Sequence, residues 1–272
     1  MATITEQASP HRNLEKKSIR EITALINKED ATVAAAIKKA LPQVNQLIQL
    51  IVDTLKEGGR MFYIGAGSGG RLSVLDVIEL PTTYGIPKGV VNSILAGGIP
   101  ELAEAREEKE DDPEAGWEAL KAHKISSRDI VVGISASGTT PFVLGALKSC
   151  RQHHVATGCI VSNPGSPIAL QADFPVEVIT GPEFITGSTR MKCGTAQKML
   201  FDMISTTVMI KLGRVEDNKM VNVLLINDKI TDRAVRMLME KSGMTDYAQA
   251  KKLLLGQGSV KKAMDHLKNS VL

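Results

Sequence analysis

Apolar and polar positions along this chain alternate with two different periods. From Asn13 to Lys28 the apolar residues Leu14, Ile19, Ile22, Leu25 and Ile26 fit one face of a helix. Ala31 to Gly58 carries a second, longer helical pattern, interrupted or kinked at Pro42 and stopped by Gly58-Gly59. Short apolar runs then alternate with helical stretches. Residues 61–65 read as a buried strand, and the helical stretch after its glycine-rich loop is expected to stop at Pro81. The run Val90 to Leu95 ends in Gly97-Gly98, and an acidic helical region follows over about 100–123. Further strands are expected at Asp129–Ser135, Val155–Ser162 and near Phe174–Thr180. Helices are expected from Thr140 to about His154 and from about Ser188 to Leu212. Strand–helix alternation of this kind makes βαβ units and a parallel sheet with helices on both faces. After Gly213 the pattern is helical only, over roughly 228–243, 245–256 and 259–270, which predicts a small all-helical appendage.

The richest stretch is Phe62-Tyr63-Ile64-Gly65-Ala66-Gly67-Ser68-Gly69-Gly70-Arg71 with the helix behind it. A strand feeding a Gly/Ser loop that opens a helix suits a phosphate, because the first helical N–H groups lack partners and glycines allow close approach. That helix is apolar nearly all round (Leu72, Val74, Leu75, Val77, Ile78, Leu80), so burial on every side is expected. Asp76 and Glu79 interrupt it, and a sequestered carboxylate is costly unless paired or used. Seventy residues on, Ile134-Ser135-Ala136-Ser137-Gly138-Thr139-Thr140-Pro141 repeats the design of a strand end and a small-residue loop. Ser135, Ser137, Thr139 and Thr140 offer four hydroxyls to an anion, while Thr140 and Pro141 also suit plain N-cap and N1 positions. In a parallel sheet both loops lie at the carboxyl ends of strands, where ligands bind. A third candidate is Thr186 to Lys198, where Ser188, Arg190 and Lys192 crowd hydroxyls and cations into a helix start. Cations there are unfavourable unless an anion lies near.

Composition narrows the class. With 272 residues the chain buries a full core, and 43% apolar with 23% charged residues is ordinary for a soluble protein. A net charge of +3 and 3% aromatic residues argue against a nucleic-acid surface. Residues 1–12 lack the apolar stretch of a signal peptide, and no run approaches the length of a membrane span. Cys150, Cys159 and Cys193 form no C-x-x-C pair and are expected to be buried, reduced thiols in a cytoplasm. The five histidines show no metal-ligand spacing.

Three segments, taken in order, resemble the N-acetylmuramic acid 6-phosphate etherases, which are sugar isomerase (SIS) domain proteins related to the glucokinase regulatory protein. They are Tyr63 to Pro81, Val132 to Pro141, and Gly181-Pro182-Glu183 through Gly187-Ser188-Thr189-Arg190-Met191-Lys192 to Lys198. The resemblance runs from Asn13 to about His266. It implies a three-layer αβα SIS domain with a parallel five-stranded sheet over 45–225, an N-terminal helical segment over 1–44, and a helical bundle of ubiquitin-associated type over 226–272. The reaction it implies is elimination of the D-lactyl ether of N-acetylmuramic acid 6-phosphate followed by water addition, with no metal or organic cofactor. It implies a homodimer too, and no nucleic-acid or membrane partner.

Family motifs map the two catalytic carboxylates onto Glu79, as proton donor, and Glu110, as its partner. The phosphate and sugar would meet Gly67, Ser68, Ser135, Ser137, Thr139, Thr140, Ser188, Arg190 and Lys192. Two positions depart from the family pattern: Gly69 stands where members have serine, and Thr139 where they have arginine. Two other readings stay open: a non-enzymatic sugar-phosphate-binding regulator, and an SIS-type sugar-phosphate isomerase.

Overall fold

The computed structural model describes residues 3–104 and 107–269. Helix α1 spans Ile19–Asp30, later than the apolar pattern suggested. Asn13 takes a left-handed conformation and Leu14–Lys16 form only a 3-10 turn. Ser18 and Glu21 make a reciprocal capping box that sets the true start. Helix α2, Val33–Lys56, runs through Pro42 without a break. Its buried face (Val44, Leu47, Ile51, Val52) packs on the sheet and offsets the one backbone bond the proline removes.

The alternating region gives five strands: β1 (Met61–Gly65), β2 (Val91–Leu95), β3 (Ile130–Ser135), β4 (Ala156–Val161) and β5 (Phe174–Glu177). All pair in parallel, in the order β2-β1-β3-β4-β5. β1 is buried at every position, as a strand covered on both faces must be. Between the strands lie α3 (Gly67–Tyr84), α4 (Ala115–Ala122), α5 (Pro141–Gln152) and α6 (Pro167–Gln171), and α7 (Lys192–Lys211) follows β5. One core layer joins Phe62, Ile64 and Val131 to Leu120 of α4 and to Val143 and Leu147 of α5. On the opposite face the Tyr63 ring meets Phe201 of α7 edge-on, with centroids 5.0 Å apart. All three cysteines are buried and free, and burial raises the Cys150 and Cys159 thiols to about 12 and Cys193 to about 11.

Three expectations need correction. The acidic stretch is not one helix. Among its described residues it forms two 3-10 turns, Ile99–Leu102 and Glu107–Asp111, and only Ala115–Ala122 is α-helical, because Pro113 interrupts the pattern. Residues 105–106 of that stretch fall outside the described chain. Helix α3 does not stop at Pro81 but continues to Tyr84, and Gly85 closes it with its N–H on the Pro81 carbonyl. Nor is α3 buried all round: Leu75 is 40% and Ile78 60% exposed.

The chain divides into two compact units. The first comprises residues 1–76 and 89–204 and holds the five-stranded sheet. The second takes 77–88 and 205–272. It contains the hairpin β6 (Val215–Glu216) and β7 (Lys219–Met220), which the apolar pattern did not signal. Helices α8 (Asp228–Ser242), α9 (Tyr247–Gln257) and α10 (Val260–Asn269) complete it. Asn227 and Asp246 cap α8 and α9, and left-handed Gly243 and Gly258 end them, as the glycine breaks indicated. Val221, Val235, Leu238, Leu254 and Val260 form its core. No helix among the described residues is long and apolar enough to cross a membrane.

The mouths of β1 and β3 opposite the site are joined by one carboxylate. Asp129 takes Arg60 N and Nε on one oxygen, at 2.9 and 3.1 Å, and Arg60 Nη2 and Ser126 N on the other, at 2.8 and 2.9 Å. Burial works against its charge, but these donors prevail and hold the carboxyl below its ordinary range. Asp129→Ala is expected to lower unfolding free energy by about 2–3 kcal/mol in urea denaturation, since the remaining donors lose their acceptor.

Candidate functional site

The strand order reverses at β1: the chain runs from β1 out to β2, then returns to β3 on the other side. Such a reversal opens a crevice beyond the carboxyl ends of the strands. Register places Gly65 beside Ile134, so the loops after β1 and β3 emerge side by side. The first is drawn tight by glycine, because a Cβ at Gly65 would lie 3.0 Å from the Gly70 Cα. Helix α3 then begins at Gly67, presenting its unbonded first-turn N–H groups.

Between the two loops lies a cavity of 220 Å³. Its walls include Gly67, Ser68 and Gly69 from the first loop, and Ser135, Ser137 and Thr140 from the second. The second loop is a hydroxyl network. Ser135 Oγ lies 2.8 Å from Thr140 Oγ1 and 3.3 Å from Ser137 Oγ, and it accepts the Gly138 N–H at 3.0 Å. Thr140 is the residue before α5, yet its hydroxyl turns to Ser135 and makes no cap bond to the helix. The capping explanation of that hydroxyl therefore fails. Hydroxyls joined to one another, lining one cavity with the start of α3, form a neutral donor set that suits an oxyanion.

Glu110, carried by the 3-10 turn Glu107–Asp111, lines the same cavity and adds an acidic residue to the donor set. Thr139 does not share this wall. It is exposed, borders two neighbouring cavities, and donates its hydroxyl to Ser137 at 3.0 Å. Ser188 is half-buried between Gly187 and Thr189, which do line the cavity. Arg190 is exposed. Lys192 requires correction as a ligand-facing cation: it is buried and its Nζ lies 2.7 Å from Glu29 Oε2 of α1. The anion that its place in the helix called for comes from the chain itself. Glu79 requires correction as well, for it is exposed where an enclosed carboxylate was expected.

Several residues at or near the cavity were not named as site residues in the sequence, although Glu183 and Gln197 lie within its third motif. Glu183 is fully buried and accepts the N–H groups of Lys192 and Cys193, both at 2.9 Å, so its carboxylate caps the start of α7. Asn163 exchanges hydrogen bonds with Thr5 (its Oδ1 accepts Thr5 N at 3.2 Å, and its Nδ2 donates to Thr5 Oγ1 at 2.9 Å). It also donates to the Ser137 carbonyl at 2.9 Å. This contact fastens the N-terminal segment to the hydroxyl loop and brings Glu6 to the cavity wall. Gln197 of α7 reaches the same wall. Glu6 and Asn163 belong to no local motif, and no periodicity could have found them.

Comparison with known proteins finds relatives in both sequence and fold. The glucokinase regulatory protein N-terminal SIS domain matches residues 43–151, and the SIS domain matches 118–206. The chain is 55% identical to the N-acetylmuramic acid 6-phosphate etherase of Bacteroides thetaiotaomicron, over 96% of this chain and 94% of that one. It is 52% identical to the protein of that name from Porphyromonas gingivalis, over 97% and 96%. Among solved structures, a phosphoheptose isomerase from Neisseria gonorrhoeae superposes with a TM-score of 0.54 at 16% identity, covering 70% of this chain and 98% of that one. At such identity the likeness is one of fold.

The Lys192–Glu29 contact also gives a measurable expectation. The Lys192 ammonium first, and then His11 at 3.0 Å, hold the Glu29 carboxyl below its ordinary range against the effect of burial. A lowered carboxylate contributes stability above its unfolded pKa and loses it as pH falls through the folded one. Glu29→Gln is expected to cost about 3 kcal/mol at neutral pH by leaving a buried ammonium without its counter-charge. The gap between the two proteins in urea denaturation should close as pH drops below about 4.

Proposed function

Because the chain belongs to the N-acetylmuramic acid 6-phosphate etherase family, we propose that it is a carbon–oxygen lyase acting on N-acetylmuramic acid 6-phosphate. It releases D-lactate and leaves N-acetylglucosamine 6-phosphate. The observation that carries this reading beyond fold is the cavity itself, whose lining combines the hydroxyl loop, the start of α3 and Glu110.

The chemistry asks for those parts. Opening of the sugar ring exposes the C1 aldehyde, which acidifies the proton on C2. A carboxylate removes that proton, the C3–oxygen bond breaks, and the departing lactyl oxygen takes a proton from an acid. Water then adds across the resulting double bond, so atoms balance as substrate plus water. Glu110 is assigned to one proton-transfer role and Glu79 to the other, with Glu79 as donor. The phosphate is assigned to Ser68, Ser135, Ser137 and Thr140 and the α3 N-terminus. Thr139 supports that loop through Ser137.

Glu79 bears on the oligomer. It stands exposed on a helix whose neighbouring Leu75 and Ile78 are also open to water. Apolar side chains flanking a carboxylate support a homodimer in which a second copy covers this face and withdraws Glu79 from solvent. A cytoplasmic setting fits the three free, buried thiols.

Incubating the purified protein with N-acetylmuramic acid 6-phosphate should release D-lactate, and a protein that binds the sugar phosphate but releases none would overturn the reading. Glu79→Gln and Glu110→Gln are each expected to slow release by roughly 10²–10⁴-fold while leaving binding measurable. Ser137→Ala is expected to weaken sugar-phosphate binding by about 1–2 kcal/mol in calorimetry, as loss of a hydrogen bond to a charged group does.

A further inference from the structure

We propose that Gln197 is a ligand-binding residue of this cavity, donating its side-chain amide to an acceptor oxygen of the bound sugar phosphate. The residue lies in the first turns of α7, is 2% exposed, and forms part of the cavity wall. Its Nε2 is buried and meets no acceptor among the described residues. A buried amide donor without a partner is destabilising, and native proteins rarely keep one without a use.

The first loop is shaped to receive this amide. A Cβ at Gly69 would stand 3.0 Å from Gln197 Oε1 and 3.2 Å from Nε2, and 2.8 Å from Ile134 Cγ2. A side chain at position 69 would press on the amide and on the Ile134 side chain beside it. Glycine there lets the Gln197 amide lie directly against the phosphate-cradle backbone. The hydroxyls across the cavity already bond one another and the loop N–H groups. Gln197 holds a donor in reserve.

The inference deepens the proposed function and rests on its choice of a sugar-phosphate ligand. A structural role and a binding role make opposite demands on stability. Gln197→Leu removes an unpartnered buried polar group, so a ligand-binding glutamine predicts an unchanged or raised Tm in the unliganded protein. Gln197→Met, close to glutamine in length, provides the same comparison if leucine fails to fold.

Calorimetric titration with N-acetylglucosamine 6-phosphate, which does not turn over, should show roughly tenfold weaker binding in either variant, about 1.4 kcal/mol. Titration with inorganic phosphate locates the oxygen. Loss for both ligands places the amide on the phosphate group, and loss for the sugar phosphate alone places it on the sugar. Unchanged affinity for both ligands, or a Tm lowered by several degrees, would overturn the proposal. Wild-type binding without lactate release would instead refute the etherase reading and leave Gln197 standing. No wild-type binding of the sugar phosphate would overturn both.

Discussion

The parallel pairing of β1 with β3 is the constraint on which the site depends. Gly65 and Ile134 stand in register, so two loops seventy residues apart in sequence leave the sheet together. One contributes helix-start amides and the other a set of hydroxyls, and neither alone would enclose an anion. The opposite ends of the same strands are held by Asp129, which bonds Arg60 ahead of β1 and Ser126 ahead of β3. A slip of one residue between these strands would turn their side chains to the wrong face and part the two halves of the cradle.

Charge in this protein is used for structure more often than its sequence suggests. The start of α7 gathers Arg190 and Lys192, which as a linear pattern looks like an anion site. In the fold, Glu183 caps that helix start from beneath, and Glu29 reaches across from α1 to neutralise Lys192. Both carboxylates come from outside the helix, one nine residues earlier and one from the N-terminal segment. The cavity is left with neutral donors and two acidic residues, Glu6 and Glu110, in its lining. Such a lining can bind a phosphate without trapping it in a permanent ion pair.

The N-terminal segment has a similar hidden part. Its polar composition carries no periodic signal, yet Thr5 is buried and bonded to Asn163, which also holds the Ser137 carbonyl. Through that one side chain, the first residues of the chain and the hydroxyl loop keep a common geometry. Glu6 comes to the cavity by this route.

The elements themselves were legible because they follow from local physics. The period of apolar residues, the glycine breaks and the strand–helix alternation are short-range signals. They marked every strand of the parallel sheet and the three C-terminal helices to within a few residues. The two loops were legible as well, since each carries its small residues contiguously. Helix ends were less so: Pro42 and Pro81 lie inside helices because packing outweighed the loss of one backbone bond, and the capping box at Ser18 displaced the start of α1. Tertiary structure alone decided which charges are spent on one another. Lys192 became a buried ion-pair partner and Glu79 stayed exposed, while Gln197, in the third motif but given no role there, reached the cavity wall. These outcomes rest on contacts between residues far apart in the chain, and a linear pattern holds no record of which distant side chain will arrive to satisfy a charge or leave an amide waiting.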